Sequence, residues 1–224
     1  MRFPFRNRRD AGRQLAAALP TLDWDNTVVI ALPRGGVPVA EEICKRFYLP
    51  LDLVFVRKIG MPNQPEVALG AIVDGDSPEI VINPRVARTT GLSEREITKM
   101  GHQLLPEIER RKALYLQGLA RPTLAGKTLV VVDDGVATGA TLRASLAALR
   151  RAKPKQIILA LPTAPPDILS VLADLADEFI CLDRPRMFHA VGAAYASFPQ
   201  TVDAEVTAAL QRCAQWQKKT DQRS

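Results

Sequence analysis

Histidine, cysteine and the aromatic residues are scarce in this chain, and each scarcity closes a class of function. With only two histidines, His102 and His189, a three-histidine metal centre is impossible, and a Ser-His-Asp triad would rest on one of two scattered residues. The three cysteines, Cys44, Cys181 and Cys213, are isolated and show no CxxC spacing, so neither a disulfide framework nor a thiolate zinc site is expected. They read as small buried hydrophobes. Long apolar runs are also missing: Val28 to Leu32 and Ile157 to Leu161 fall far short of the roughly 18 residues a membrane span needs. The basic stretch MRFPFRNRRDAGRQL has no apolar segment behind it, so it does not read as an export signal, and a cytoplasmic location is the default expectation.

What remains is a chain of 224 residues, 47% hydrophobic and 24% charged, sized for a single globular domain over 1–224. Lys and Arg number 30 against 24 Asp and Glu, a net charge of +6 that calls for an anionic partner: phosphate, nucleic acid or an acidic surface. β-Branched runs alternate with amphipathic stretches. Strands are expected at Thr27–Leu32, Leu51–Val56, Thr128–Val132, Gln156–Leu161 and Glu178–Leu182, with helices at Val37–Tyr48, Ala140–Arg151, Asp167–Ala176 and Asp203–Lys219. A further strand pair, Ala68–Val73 with Glu79–Ile82, flanks the turn residues Asp74, Gly75 and Asp76. Ser93 and Glu96 have capping-box spacing, and the polar helix that follows to Gly118 should be kinked or divided at Pro106, with too few apolar positions for a core helix. Strand-helix alternation at this spacing predicts an α/β domain with a mostly parallel sheet, whose ligands bind at the carboxyl ends of the strands.

One such end carries unusual chemistry. The run Val130-Val131-Val132-Asp133-Asp134-Gly135-Val136-Ala137-Thr138-Gly139-Ala140-Thr141 sets two acids before a turn of small residues. Glycines at 135 and 139 and hydroxyls at 138 and 141 let backbone amides converge on an anion at the start of the next helix. It is not a Walker A loop, which needs four residues between its glycines and then lysine; here three intervene and Ala140 follows. The paired carboxylates add acceptors for vicinal hydroxyls beside a bound phosphate, which points to a sugar phosphate.

This segment resembles the signature of the type I phosphoribosyltransferases. The resemblance implies that Asp133 and Asp134 hold the ribose of 5-phosphoribosyl 1-diphosphate (PRPP), and that Ala137, Thr138, Gly139, Ala140 and Thr141 hold its 5-phosphate. It further implies a pyrophosphate loop at Arg34, Gly35 and Gly36, often built on a non-proline cis peptide, and a basic pair on the diphosphate at Arg57 and Lys58. The bland readings stand beside these: an ordinary strand-to-helix turn at Arg34, and a solvated charge pair at Arg57 and Lys58. Glu66 is a candidate contact to acceptor or magnesium, or a carboxylate in water. Phe188 and His189 are candidate acceptor contacts, or core and structural residues.

The family's architecture implies a type I parallel sheet flanked by helices, with a core over about 25–200. It adds a mobile, partly helical lid over about 83–125 and a small hood over about 181–200 with the N-terminal residues. The activity implied is Mg2+-dependent transfer of ribose 5-phosphate from PRPP to a nitrogenous base or other amine, with pyrophosphate released, in a homo-oligomer such as a dimer. No catalytic acid or base is assigned, because Ala137 stands where the 6-oxopurine branch carries an aspartate, and no direct protein site for the metal, because Ala194, Tyr195, Ala196 and Ser197 stand where the hypoxanthine-guanine branch carries its magnesium-binding acid. The alternative is a PRPP- or nucleotide-sensing regulator that binds nucleic acid through Arg2, Arg6, Arg8, Arg9 and Arg13. A PRPP synthetase-like diphosphokinase would need an ATP site and a duplicated chain, and the sequence shows no repeat.

Overall fold

A computed structural model describes residues 3–74 and 78–221, without the side chains of Glu66, Leu169 and residues 219–221. Arg2, Gly75 and Asp76 therefore lie outside the described residues. The chain runs α1 (Arg8–Ala18), β1 (Thr27–Ala31), α2 (Gly36–Phe47), β2 (Leu51–Leu53), β3 (Val56–Met61), β4 (Gln64–Val73) and β5 (Glu79–Ile82). It continues through α3 (Pro84–Ala87), α4 (Glu94–His102), α5 (Leu105–Tyr115), β6 (Thr128–Val132), α6 (Ala140–Arg151), β7 (Gln156–Thr163), α7 (Pro166–Leu172), β8 (Glu178–Asp183) and α8 (Asp203–Asp221).

Five strands pair in parallel in the order β2-β1-β6-β7-β8, and three more form an antiparallel sheet, β3-β4-β5. The central strands β1 and β6 are buried along their whole length, as continuous apolar runs in a parallel sheet must be when helices cover both faces. Val29, Ala31, Val130 and Val132 face α2 and α8, while Val28, Ile30, Leu129 and Val131 face α6. All parallel strands end on one edge, where β1 hands over to α2, β6 to α6, and β8 to the segment 184–202.

The expected single strand Leu51–Val56 is instead two, β2 in the parallel sheet and β3 in the antiparallel one. No glycine or proline marks the crossing at Val54 and Phe55, both buried. The polar segment after Ser93 also differs. Its capping box forms, with Glu96 N–H on Ser93 Oγ and Ser93 N–H on Glu96 Oε2, and the helix divides into α4 and α5 with Pro106 in the first turn of α5. Yet Ile97, Ile108 and Tyr115 are fully buried, so the helices of the segment 83–125 are packed on the core at these three positions. Ile97 fills a cluster with Ile59 and Leu69; Ile108 and Tyr115 join the core under α2 and α8. Three apolar residues at the right places anchor two helices that composition alone would leave in solvent. No helix among the described residues is long and apolar enough to cross a membrane.

Candidate active site

The site is assembled where β1 and β6 end side by side. After β1, Pro33–Arg34 is a cis peptide, and Gly35 caps the start of α2. After β6, Asp133 and Asp134 lead into Gly135 (φ 148°) and Gly139 (φ 71°), the second of which caps the twelve-residue α6. Such backbone angles are costly for any residue with a β-carbon, so both glycines are required by the turn. The chain thus presents Ala137 and Thr138 to solvent and sets Ala140 and Thr141 in the first turn of α6, where unpaired amides and the helix dipole favour an anion.

The two loops are in direct contact. A β-carbon placed on Gly35 would lie 2.1 Å from Asp134 Oδ2, and one on Gly36 would lie 2.7 Å from the Val132 carbonyl oxygen and 2.9 Å from Asp133 Cα. Asp133 Oδ1 accepts the Asp134 amide at 2.8 Å, which turns the first carboxylate back over the strand end. Burial raises the pKa of Asp133 well above the usual carboxylate range, and the charge of Asp134 adds to it. Asp134 is raised by burial as well, but Arg8 pulls it back.

Arg8 is a site residue that the sequence placed only within the run of N-terminal arginines. Its Nε donates to Asp134 Oδ2 at 2.7 Å, its guanidinium carbon sits 3.6 Å from the centre of the Phe198 ring, and its Nη1 donates to the Pro199 carbonyl at 2.6 Å. Tyr195 donates its hydroxyl to the Asp134 carbonyl, so the second acid is held at both its main chain and its side chain. The segment before α1 is fixed to the segment after β8: Phe5 N–H bonds the Ala194 carbonyl at 3.1 Å, and Phe5 O accepts from Ala196 N at 2.9 Å. Phe5, Ala11, Ala194 and Tyr195 form a small core of their own.

The other described N-terminal arginines are also engaged, Arg6 with Asp10, Arg9 with Glu41 and Glu42, and Arg13 with Asp10 and Glu42. Arg34, expected on the diphosphate, reaches Asp203 at the head of α8 (3.4 Å), whose carboxylate also accepts the Tyr115 hydroxyl at 2.5 Å. That hydroxyl bond, with Arg34 and Arg110 nearby, holds Asp203 below the usual carboxylate range. Arg57 and Lys58 lie inside β3, in the antiparallel sheet, opposite Ile72 and Ala71 of β4. As neighbours on a strand they start out toward opposite faces of that sheet. Glu66 falls within β4, its side chain outside the described set. Phe188 is half-buried and His189 exposed, both beyond β8 on the carboxyl edge. A cavity of about 700 Å³ lies elsewhere, lined among others by Asp52, Leu124, Arg121 and Arg151, and its Arg121 is paired with Asp52 and Asp74.

A family model described as the phosphoribosyl transferase domain matches residues 6–171, a span that includes both loops and Arg8. The chain belongs to the phosphoribosyl transferase family. Two strains of Mycobacterium tuberculosis hold a relative provisionally named a phosphoribosyl transferase, 45% identical over 208 residues. That match takes in 93% of this chain but 46% of the relative, so this phosphoribosyl transferase domain spans about half the length of those proteins. A crystal structure from Thermus thermophilus superposes with a TM-score of 0.80 at 38% identity, covering 95% of this chain and 99% of that one. The fold of this phosphoribosyl transferase domain is therefore shared with that known structure.

Proposed function

We propose that this domain is a magnesium-dependent phosphoribosyltransferase that moves ribose 5-phosphate from PRPP to a nitrogenous base or other amine. The observation that carries the reading is the packing of the Arg34-Gly35-Gly36 loop against Asp133 and Asp134 at the mouth of α6. In this reading the amides of 137–141 at the head of α6 take the 5-phosphate. Asp133 and Asp134 accept the ribose hydroxyls, and the loop at 34–36 takes the pyrophosphate. The anomeric C–O bond breaks, the C–N bond forms, pyrophosphate departs with the bonding pair, and the acceptor nitrogen loses its proton.

The chemistry then rests on positioning and on neutralising the leaving group. Gly35 and Gly36 permit close backbone approach, and Arg34 supplies a cation once it exchanges Asp203 for the diphosphate. Magnesium, when bound with the diphosphate, would neutralise its charge. The carboxylates converging on the ribose place are Asp133 and Asp134, one carrying the Asp134 amide and the other Arg8. Ala137 offers no carboxylate for the acceptor proton, which favours an acceptor that needs no acid-base help from this loop.

Calorimetry tests the site: wild-type protein should bind PRPP in a magnesium-dependent manner, and Asp133→Asn with Asp134→Asn should abolish it. Unchanged binding in the double variant would remove the site. A pyrophosphate-release screen across purines, pyrimidines and simple amines, with PRPP and magnesium, identifies the acceptor.

A further inference from the structure

We propose that Arg8 is the positioning residue for the ribose-binding carboxylate of Asp134, so that docking of the N-terminal segment completes the phosphoribosyl site. This rests on the functional reading above and adds a residue to it from outside the signature loops.

The geometry is specific. Arg8 and Asp134 are 126 residues apart, yet both side chains are almost wholly buried, with relative exposures of 11% and 13%. A buried guanidinium needs its charge and its donors answered. Here the carboxylate, the Phe198 ring and the Pro199 carbonyl answer them together. Because Oδ2 of Asp134 is fixed by Arg8 on one side and crowded by Gly35 on the other, the carboxylate has little freedom to rotate. A ribose hydroxyl then meets an acceptor already oriented, which is the condition for tight binding without an ordering cost.

Charge works in the same direction. The groups facing Asp134 are Arg8 from α1, Asp133 from its own loop and Tyr195 from the segment after β8. Asp133 and burial favour protonation of the pair, Tyr195 is itself held neutral by burial, and Arg8 is the cation that opposes them. An opposite charge at this range lowers a carboxylate pKa by about 1–3 units. Removing it should therefore raise the pH at which the acids become competent acceptors.

The test is calorimetric titration of PRPP with magnesium into the full chain from pH 5 to pH 9. Arg8→Gln should weaken binding at least tenfold at pH 6, recover most of it by pH 9, and move the midpoint upward by about one unit. Arg8→Lys, which keeps the charge but not the fork, should hold the wild-type midpoint with a smaller loss of affinity, and it serves if Arg8→Gln folds poorly. If either variant binds PRPP with wild-type affinity across the range, or loses affinity equally at every pH while only its melting temperature falls, Arg8 is structural and the proposal is overturned. If the wild-type protein itself binds no PRPP, the functional reading fails first, an outcome distinct from the other two.

Discussion

Gly35→Ala isolates the contact on which the site depends. Gly35 has φ −60° and ψ −37°, angles any residue adopts, so alanine carries no backbone penalty there. The cost is purely steric: the new methyl would stand 2.1 Å from Asp134 Oδ2, 2.5 Å from Cγ and 2.9 Å from Oδ1. The carboxylate can yield only by leaving Arg8, and breaking a buried pair costs about 3–5 kcal/mol; shifting the loop instead costs the roughly 1–3 kcal/mol typical of overpacking. The cheaper route sets the expectation, a loss of about 1–3 kcal/mol, or roughly 2–12 °C in melting temperature for a domain of this size. Thermal unfolding by circular dichroism measures it, and PRPP binding should fall with it. Gly91→Ala is the control, because Gly91 (φ 69°) has nothing within 4 Å of its would-be β-carbon. It should cost about 1–2 kcal/mol from the backbone alone and leave binding intact. Asp134→Ser in the Gly35→Ala background should relieve the clash, giving a coupling of at least about 1 kcal/mol in the double-mutant cycle. A melting temperature for Gly35→Ala within about 1 °C of wild type, or strict additivity with Asp134→Ser, would refute the reasoning.

Tyr115→Phe removes a buried hydroxyl from the Asp203 carboxylate and should cost about 1.5–3 kcal/mol near neutral pH by denaturant unfolding. Burial and then Asp203 push the Tyr115 pKa up to about 12. The unfolded chain gives up this proton near pH 10, so its contribution to stability is full below pH 10 and lost as pH rises to about 12. Stability of the phenylalanine variant should change less than wild type across that window; parallel curves would contradict the assignment. Arg121→Ala should strand the Asp52 carboxylate, 2% exposed and bonded by Arg121 Nε at 3.1–3.2 Å, at a cost of about 3 kcal/mol at pH 8. Burial already raises the Asp52 pKa, and loss of Arg121 raises it further. The variant's deficit should therefore shrink as pH falls toward 4, and urea titrations showing equal deficits at pH 4 and pH 8 would reject that account.

The parts legible in the sequence were those whose information is local. Thr128–Val132 and Ala140–Arg151 stand in the structure at the residues expected, because a threonine and four apolar residues, two acids and a glycine-containing turn declare a strand, its end and the next helix within one window. The glycines at 35 and 36 advertised a close approach, though not that Asp134 was what approached. What escaped depended on distant partners. The step from β2 to β3 is silent because Leu51 to Ile59 contains no breaker and both halves are strand-forming. The segment that becomes α5 reads as polar because Ile108 and Tyr115 are seven residues apart among charges, and only the fold shows that both reach the core. Arg8 stood in a run of arginines with no local feature to separate it from Arg6 or Arg9. The signal that would have helped is the pairing of Phe5 with the Tyr195 region, a contact invisible to spacing.

α2 begins at the loop 34–36 and carries two buried acids in its middle, Glu41 and Glu42. Arg9 and Arg13 come to them from α1, and Arg212 comes to Glu41 at 2.6 Å from α8, 171 residues further along the chain. The same α8 opens with Asp203, the partner of Arg34. In synthesis, the loops at 34–36 and 133–141 therefore emerge before the helix that anchors Arg34 and Glu41. Contacts of such sequence separation are paid for late in folding, so until α8 docks, α2 keeps a buried acid short of one cation and Arg34 lacks its anchor. The expected order is therefore that the signature loop forms early through local contacts and the surroundings that α8 supplies form last.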